Sequence, residues 1–146
     1  IGVMGAGGPV AEYGPEKKRY AGIHQTFRDA MAAPAELSEF KNNVAAVRTE
    51  NYWDMPLEAL KKRERSFKAK KDELIAAMKE GKLARDEGNA AIEKLYAEEF
   101  DDRELVILRE STSNAEYHYL GSAKIMAQIG KGFAEAMHEL LPVKSD

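Results

Sequence analysis

Apolar side chains recur along most of this chain at intervals of three and four residues and almost nowhere at intervals of two. That spacing puts them on one face of an α-helix, so the chain reads as all-α. Tyr20, Ile23, Phe27, Ala30 and Met31 mark a helix over 16–33, which Pro34 stops. Leu37, Phe40, Val44 and Val47 repeat the pattern over 35–52. Both stripes are narrow, and a narrow stripe does not hold an isolated helix in water. The two helices are therefore expected to form an extended arm that docks on other subunits.

Downstream, Asp54 and Pro56 make a helix-start signal, and Gly81 is a C-terminal stop for a helix over 56–80. Its stripe of Leu57, Leu60, Phe67, Leu74 and Met78 is interrupted at Glu64 and Lys71, where heptad spacing calls for apolar side chains. Ile92, Leu95 and Tyr96 predict a fourth helix over 85–100, with Gly88 a weak point in it. Residues 103–110, RELVILRE, fit a helix or a short strand. In the last helix Ser113 and Glu116 form a candidate capping box. Ile125, Ile129, Phe133, Met137 and Leu141 then follow at four-residue steps, and Pro142 ends the run. Residues 1–15 hold five of the eleven glycines with Pro9 and Pro15, a composition that reads as a flexible tail. The expected organisation is a tail over 1–15, a basic helical arm over 16–80 and a compact helical bundle over 81–146.

Charge changes this picture more than composition does. The 146 residues are one ordinary domain in size, and none of the apolar runs is long enough to span a bilayer. The absence of cysteine excludes disulfides, thiolate metal sites and a cysteine nucleophile. The start at Ile1 reads as a trimmed N-terminus, and two Gln against abundant Glu and Lys is a bias of proteins from hot environments. Residues 1–79 carry a net charge of +3 and residues 80–146 a net −6. The segment KKRERSFKAKK, residues 61–71, places seven cations in eleven positions, and between 61 and 71 only Glu64 offers compensation. A solvated helix face is the plain reading, and an acidic polymer partner is the specific one. The cations expected to meet that partner are Lys17, Lys18, Arg19, Arg28, Lys41, Arg48, Lys61, Lys62, Arg63, Arg65, Lys68, Lys70 and Lys71.

Catalytic patterns are not found in the sequence. His24, His118 and His138 are scattered, and there is neither an HExxH nor a Gly-rich phosphate loop after a strand. Glu135 and His138 make one E-x-x-H, of which a di-iron bundle needs two. The acidic run over 98–104 does not have calcium-loop spacing. No enzyme activity, metal, cofactor or small-molecule substrate is expected. The small residues of the last helix, among them Ala123, Ala127, Ala134, Gly121, Gly130 and Gly132, lower helix propensity unless a neighbouring backbone comes close. Together with Tyr20, Phe27, Phe40 and Phe67, the three glycines are candidates for subunit packing.

Two segments, KRYAGIHQTFRDAMAAP at 18–34 and GSAKIMAQIGKGFAEAM at 121–137, resemble parts of the major coat proteins of rod-shaped and filamentous archaeal DNA viruses. The likeness rests on Arg19, Tyr20, Phe27, Ala30 and Pro34, and on Gly121, Lys124, Ala127, Gly130, Gly132 and Met137. It implies a helical arm leading into a small helical domain, with dimers of this chain or of this chain and a homologous subunit. It also implies a virion location and wrapping of linear A-form double-stranded DNA by phosphate contacts that do not read base sequence. The net acidity departs from the more basic members, and a second, more basic coat subunit would make up the difference. The alternative reading is a helical structural or adaptor subunit of a larger protein assembly without nucleic acid.

Overall fold

The structure, a computed structural model, describes residues 1–141, so the expected Pro142 stop lies outside the described residues. The chain is mostly α-helical, with one two-stranded sheet among the described residues. It divides into two compact units, Ile1–Asp54 with Ser113–Asp146, and Met55–Thr112. This division differs from the expected order of tail, arm and bundle, because the first 54 residues pack with the last helix instead of extending away.

The discontinuous unit is organised around strands β1 (Gly2–Val3) and β2 (Val47–Arg48), helix α1 (Ala21–Ala32) and, later in the chain, a long C-terminal helix. The strands run parallel, Gly2 opposite Val47 and Val3 opposite Arg48. The expected flexible tail is therefore ordered. Val3 is fully buried, and Tyr13 is 8% exposed. Its anchor is Arg28 of α1, also fully buried, which donates from Nε to the Met4 carbonyl (2.8 Å) and from Nη2 to the Ala6 carbonyl and the Tyr13 hydroxyl (3.2 Å each). Glycine allows this path because Gly5 lies against the backbone of Thr49 and Glu50, where a Cβ would overlap both.

The helix expected over 35–52 does not form. Short 3-10 turns at Ala33–Glu36 and Ser38–Phe40 give way to a left-handed Asn42 (φ 62°), and residues 47–48 join the sheet. Asn tolerates that backbone region, and strand pairing with residues 2–3 outweighs a weak helical stripe.

The second unit is built from four helices, α2 (Met55–Ser66), α3 (Lys68–Lys79), α4 (Arg85–Glu99) and α5 (Asp102–Glu110). The long helix expected over 56–80 breaks at Phe67 (φ −108°, ψ 13°), and α3 turns back onto α4. Gly88, expected to weaken α4, is where Met78 of α3 packs. Leu60, Tyr96, Phe100 and Leu108 form the core, with Phe67, Ile92, Leu105 and Ile107 around them. Residues 103–110 are helical: Asp101 accepts the Glu104 amide (2.8 Å) and Glu104 accepts the Asp101 amide (3.2 Å), a capping box.

The C-terminal helix α6 (Ala123–Leu140) starts at Ser122 and not at Ser113, because Ser122 Oγ accepts the Ile125 amide (3.4 Å). Before it, Tyr119, Leu120 and Gly121 have φ of 53°, 59° and 59°. Such a backbone costs about 1–2 kcal/mol per non-glycine residue. It is held by burial of Leu120 and by the Tyr119 hydroxyl, which accepts the Gly5 amide (2.9 Å) and shares a hydrogen bond with Thr49 Oγ1 (2.8 Å).

Removing the Arg28 guanidinium leaves the half-buried Met4 carbonyl without its donor and opens a cavity. Arg28→Ala is expected to reduce stability by about 3 kcal/mol. Urea unfolding checks this, with amide exchange of residues 3–8 expected to accelerate most.

Candidate interaction surfaces

The basic run lies on α2 and α3, and most of it is neutralised within its own unit. Lys61 bonds Glu64 (2.6 Å), Arg65 bonds Glu58 (2.8 Å), and Lys68 pairs with Asp72. Arg63 reaches Glu104 (2.6 Å) and Glu99 (3.3 Å), and its guanidinium lies 4.6 Å over the Phe100 ring. The bond to Glu104 raises the Arg63 pKa and holds the Glu104 carboxyl below its ordinary range. Lys71 donates to the Tyr96 hydroxyl (2.7 Å), which donates to Glu64 (2.6 Å). Glu64 and Lys71, the two interruptions in the apolar stripe, thus close a polar chain over Tyr96. Burial, reinforced by the Glu64 carboxylate, pushes the Tyr96 hydroxyl well above its ordinary pKa, so it stays a donor.

Among the described residues no ion pair is found for Lys62 and Lys70, both exposed. The same holds for exposed Lys18 and Lys41 in the other unit, while Arg19 donates to the Tyr20 hydroxyl (2.6 Å) and covers its ring. Lys17 bonds Glu116 (2.7 Å), and Arg48 bonds Asp29 (2.7 Å) and Glu50 (3.5 Å). The hydrogen bond from Arg48 lowers the Asp29 pKa. Arg28 is a correction to the expected contact set: it is inside the fold and offers no surface to a polyanion.

The packing candidates divide as well. Phe67 belongs to the core of its own unit, edge-on to Tyr96, with ring centroids 5.2 Å apart. Phe40 is half-buried. Gly132 is small for an internal reason, since a methyl there would overlap the Tyr52 hydroxyl, and Gly121 is needed for its positive φ and its contact with Ser113 Oγ. These corrections leave Tyr20, Phe27 and Gly130. Ile23 and Phe27 of α1, with Tyr20 just before it, are 67%, 53% and 39% exposed, and nothing lies within 4 Å of a methyl built on Gly130.

Gly130 is the centre of a face that the four-residue ladder does not reveal. At 3.6 residues per turn, each four-residue step rotates about 40°, so Ile125 to Met137 spiral across about 120° of the helix. Ile125 and Ile129 therefore point into the core, while Met137 points out, 59% exposed, and Leu141, the extended residue after the helix, is 61% exposed. The outward face comprises Ala123, Met126, Ala127, Gly130, Phe133, Ala134 and Met137, at steps of three and four, with the Phe133 ring at its edge resting against Gly2. Lys124, Gln128, Lys131, Glu135, His138 and Glu139 occupy the remaining arc, so two-thirds of α6 is apolar.

No helix among the described residues is long and apolar enough to cross a membrane, and none of them form a cluster of three or more potential metal-ligating side chains.

Two outcomes follow. Glu64 is desolvated, which raises its pKa, but hydrogen bonds from Lys61 and Tyr96 prevail and the net shift is downward. A carboxylate with a depressed folded pKa stabilises above its unfolded value, about 4.3, and that contribution is lost as pH falls through the folded value. Thermal melting is expected to drop on acidification below about pH 4, and Glu64→Gln should flatten part of the drop. The two helix glycines should respond with opposite signs. Gly130→Ala gains about 1 kcal/mol of helix propensity. Gly132→Ala loses about 1–3 kcal/mol by overpacking against Tyr52. Chemical denaturation of the dilute protein measures both.

No protein-family model, curated protein or solved structure matches the chain.

Proposed function

We propose that this chain is a structural subunit of a larger assembly, working through surface contacts rather than catalysis, and that its specific form is a coat protein of a helical virion. The observation that supports this is the second apolar face of α6. Isolated apolar residues on a surface are ordinary, but seven aligned on one helix face are what a subunit contact uses. The exposed pair Ile23 and Phe27 of α1, with Tyr20 just before it, is a further surface of the same kind.

The nucleic-acid part of the proposal rests on fewer residues than the charge count suggested. Lys18, Arg19, Lys41, Lys62 and Lys70 can neutralise phosphates without giving up a carboxylate. The ion-paired Lys61, Arg63, Arg65 and Lys68 would exchange one anion for another at little gain. Contacts of this kind suit double-stranded DNA in the A form, whose backbone and shallow minor groove are met by shape. A more basic homologous subunit would supply the charge that this chain lacks. That same ion pairing favours the second reading, a structural or adaptor subunit with no nucleic acid.

Duplex binding decides between the two. The coat reading expects sequence-insensitive binding whose logarithmic salt slope is about 0.9 per phosphate neutralised. Charge reversal at Lys18, Lys62 and Lys70 should weaken binding more than reversal at Lys61, Arg65 and Lys68. Absence of duplex binding, alone and with any co-assembling subunit, would leave the adaptor reading.

A further inference from the structure

We infer that the outward face of α6 packs against the same face of a second copy of this chain, the two helices antiparallel and crossing at Gly130. The inference rests on the structural-subunit reading and names its contact. Area is the first argument. Met126, Phe133, Met137 and Leu141 are 45%, 39%, 59% and 61% exposed. With the alanines between them they present on the order of 500 Å² in one strip, near the upper end of the largest patch on an ordinary monomer. Doubled across a two-fold axis and extended by its polar flanks, the strip reaches about 1,200 Å², the lower bound of a stable specific interface.

The occupant is argued from the pattern within the strip. An isologous contact must be self-complementary. Counted from Gly130, Ala123 and Met137 lie at −7 and +7, Met126 and Ala134 at −4 and +4, and Ala127 and Phe133 at −3 and +3. Reversing a second helix over the first therefore sets a small side chain level with each large one, and no layer of the seam holds two large residues from opposite ends. At the centre two glycines meet, and the helix axes can approach to about 8 Å, the close end of ordinary helix packing. A partner of different sequence would have to reproduce this spacing, whereas a second α6 has it already.

The chain contains no cysteine, so a single introduced thiol reports the geometry directly. Gly130→Cys places it in open space on the proposed two-fold axis, and Gln128→Cys places it on the polar arc. Sedimentation of the full chain at tens of micromolar, followed by mild oxidation, is the measurement. The expected result is a dimer that becomes covalent with Gly130→Cys and not with Gln128→Cys, since a disulfide requires Cα atoms within about 7 Å. Ala134→Glu should weaken the dimer at least tenfold with unchanged helix content, because Ala134 is exposed. Self-association that forms no disulfide from Gly130→Cys, or forms one from Ile23→Cys instead, overturns the α6 pairing and leaves the structural-subunit reading standing. A chain that stays monomeric at every concentration and assembles on nothing overturns both.

Discussion

A guanidinium buried without a carboxylate is the constraint on which the discontinuous unit depends. Removing the Arg28 guanidinium from water is expensive unless hydrogen bonds replace its hydration. The replacement comes from the chain's first residues: carbonyls of Met4 and Ala6, and the Tyr13 hydroxyl, converge on one fork. Those acceptors can converge only if the backbone over 4–8 curls tightly, which is why glycines stand there and why Gly8 can rest against Trp53. Once the curl is set, residues 2–3 lie beside residues 47–48, and Thr49 can donate to the Val3 carbonyl at 2.5 Å. One arginine on α1 thus determines the paths of segments far apart in sequence.

The same non-local bookkeeping accounts for the basic run. Within residues 61–71 the one acidic residue is Glu64, and Asp72 answers Lys68 just beyond them. The remaining counter-charges come from farther off: Glu58 lies seven residues before Arg65, and Glu99 and Glu104 come from the far end of α4 and from α5. A positive half and a negative half along the sequence fold into locally balanced pairs. Net charge by segment therefore describes the unfolded chain better than the surface that a partner meets, and the exposed lysines are the smaller, more informative set.

What could be read from the sequence follows how local each cause is. Helices α1, α4 and α6 come from periodicity and stop signals inside their own segments; α4 was legible almost to the residue, α1 begins five residues after its expected start, and α6 begins at Ser122 and not at the expected Ser113. Residues 35–52 do not form the expected helix because Val47, at helical spacing, is used by a strand partner, Gly2, more than 40 residues away. The break at Phe67 was hidden for a similar reason: its ring is edge-on to Tyr96, 29 positions on, and that contact is what the turn between α2 and α3 makes possible. In the candidate surfaces, Tyr20, Phe27 and Gly130 were legible as outward-facing, whereas Arg28, Phe67 and Gly132 have internal partners that no local pattern announces.

Helix α6 shows how the fold and the proposed assembly share one element. A helix with a single apolar stripe satisfies a single core, and adding a second stripe lowers solubility unless something covers it. In α6 the inward stripe combines the branched Ile125 and Ile129 with Gly132, suited to a fixed and well-packed interior. The outward stripe is made of alanine, glycine and methionine with one phenylalanine, residues that fit a flat approach by another helix and adapt to it. The inward stripe meets the chain's own core, held through Tyr52 and Gly132; the outward stripe is the one that the proposed pairing would give to a second copy. The left-handed turn at Tyr119 and Leu120 serves that division, because it sets where α6 begins and so which stripe faces in.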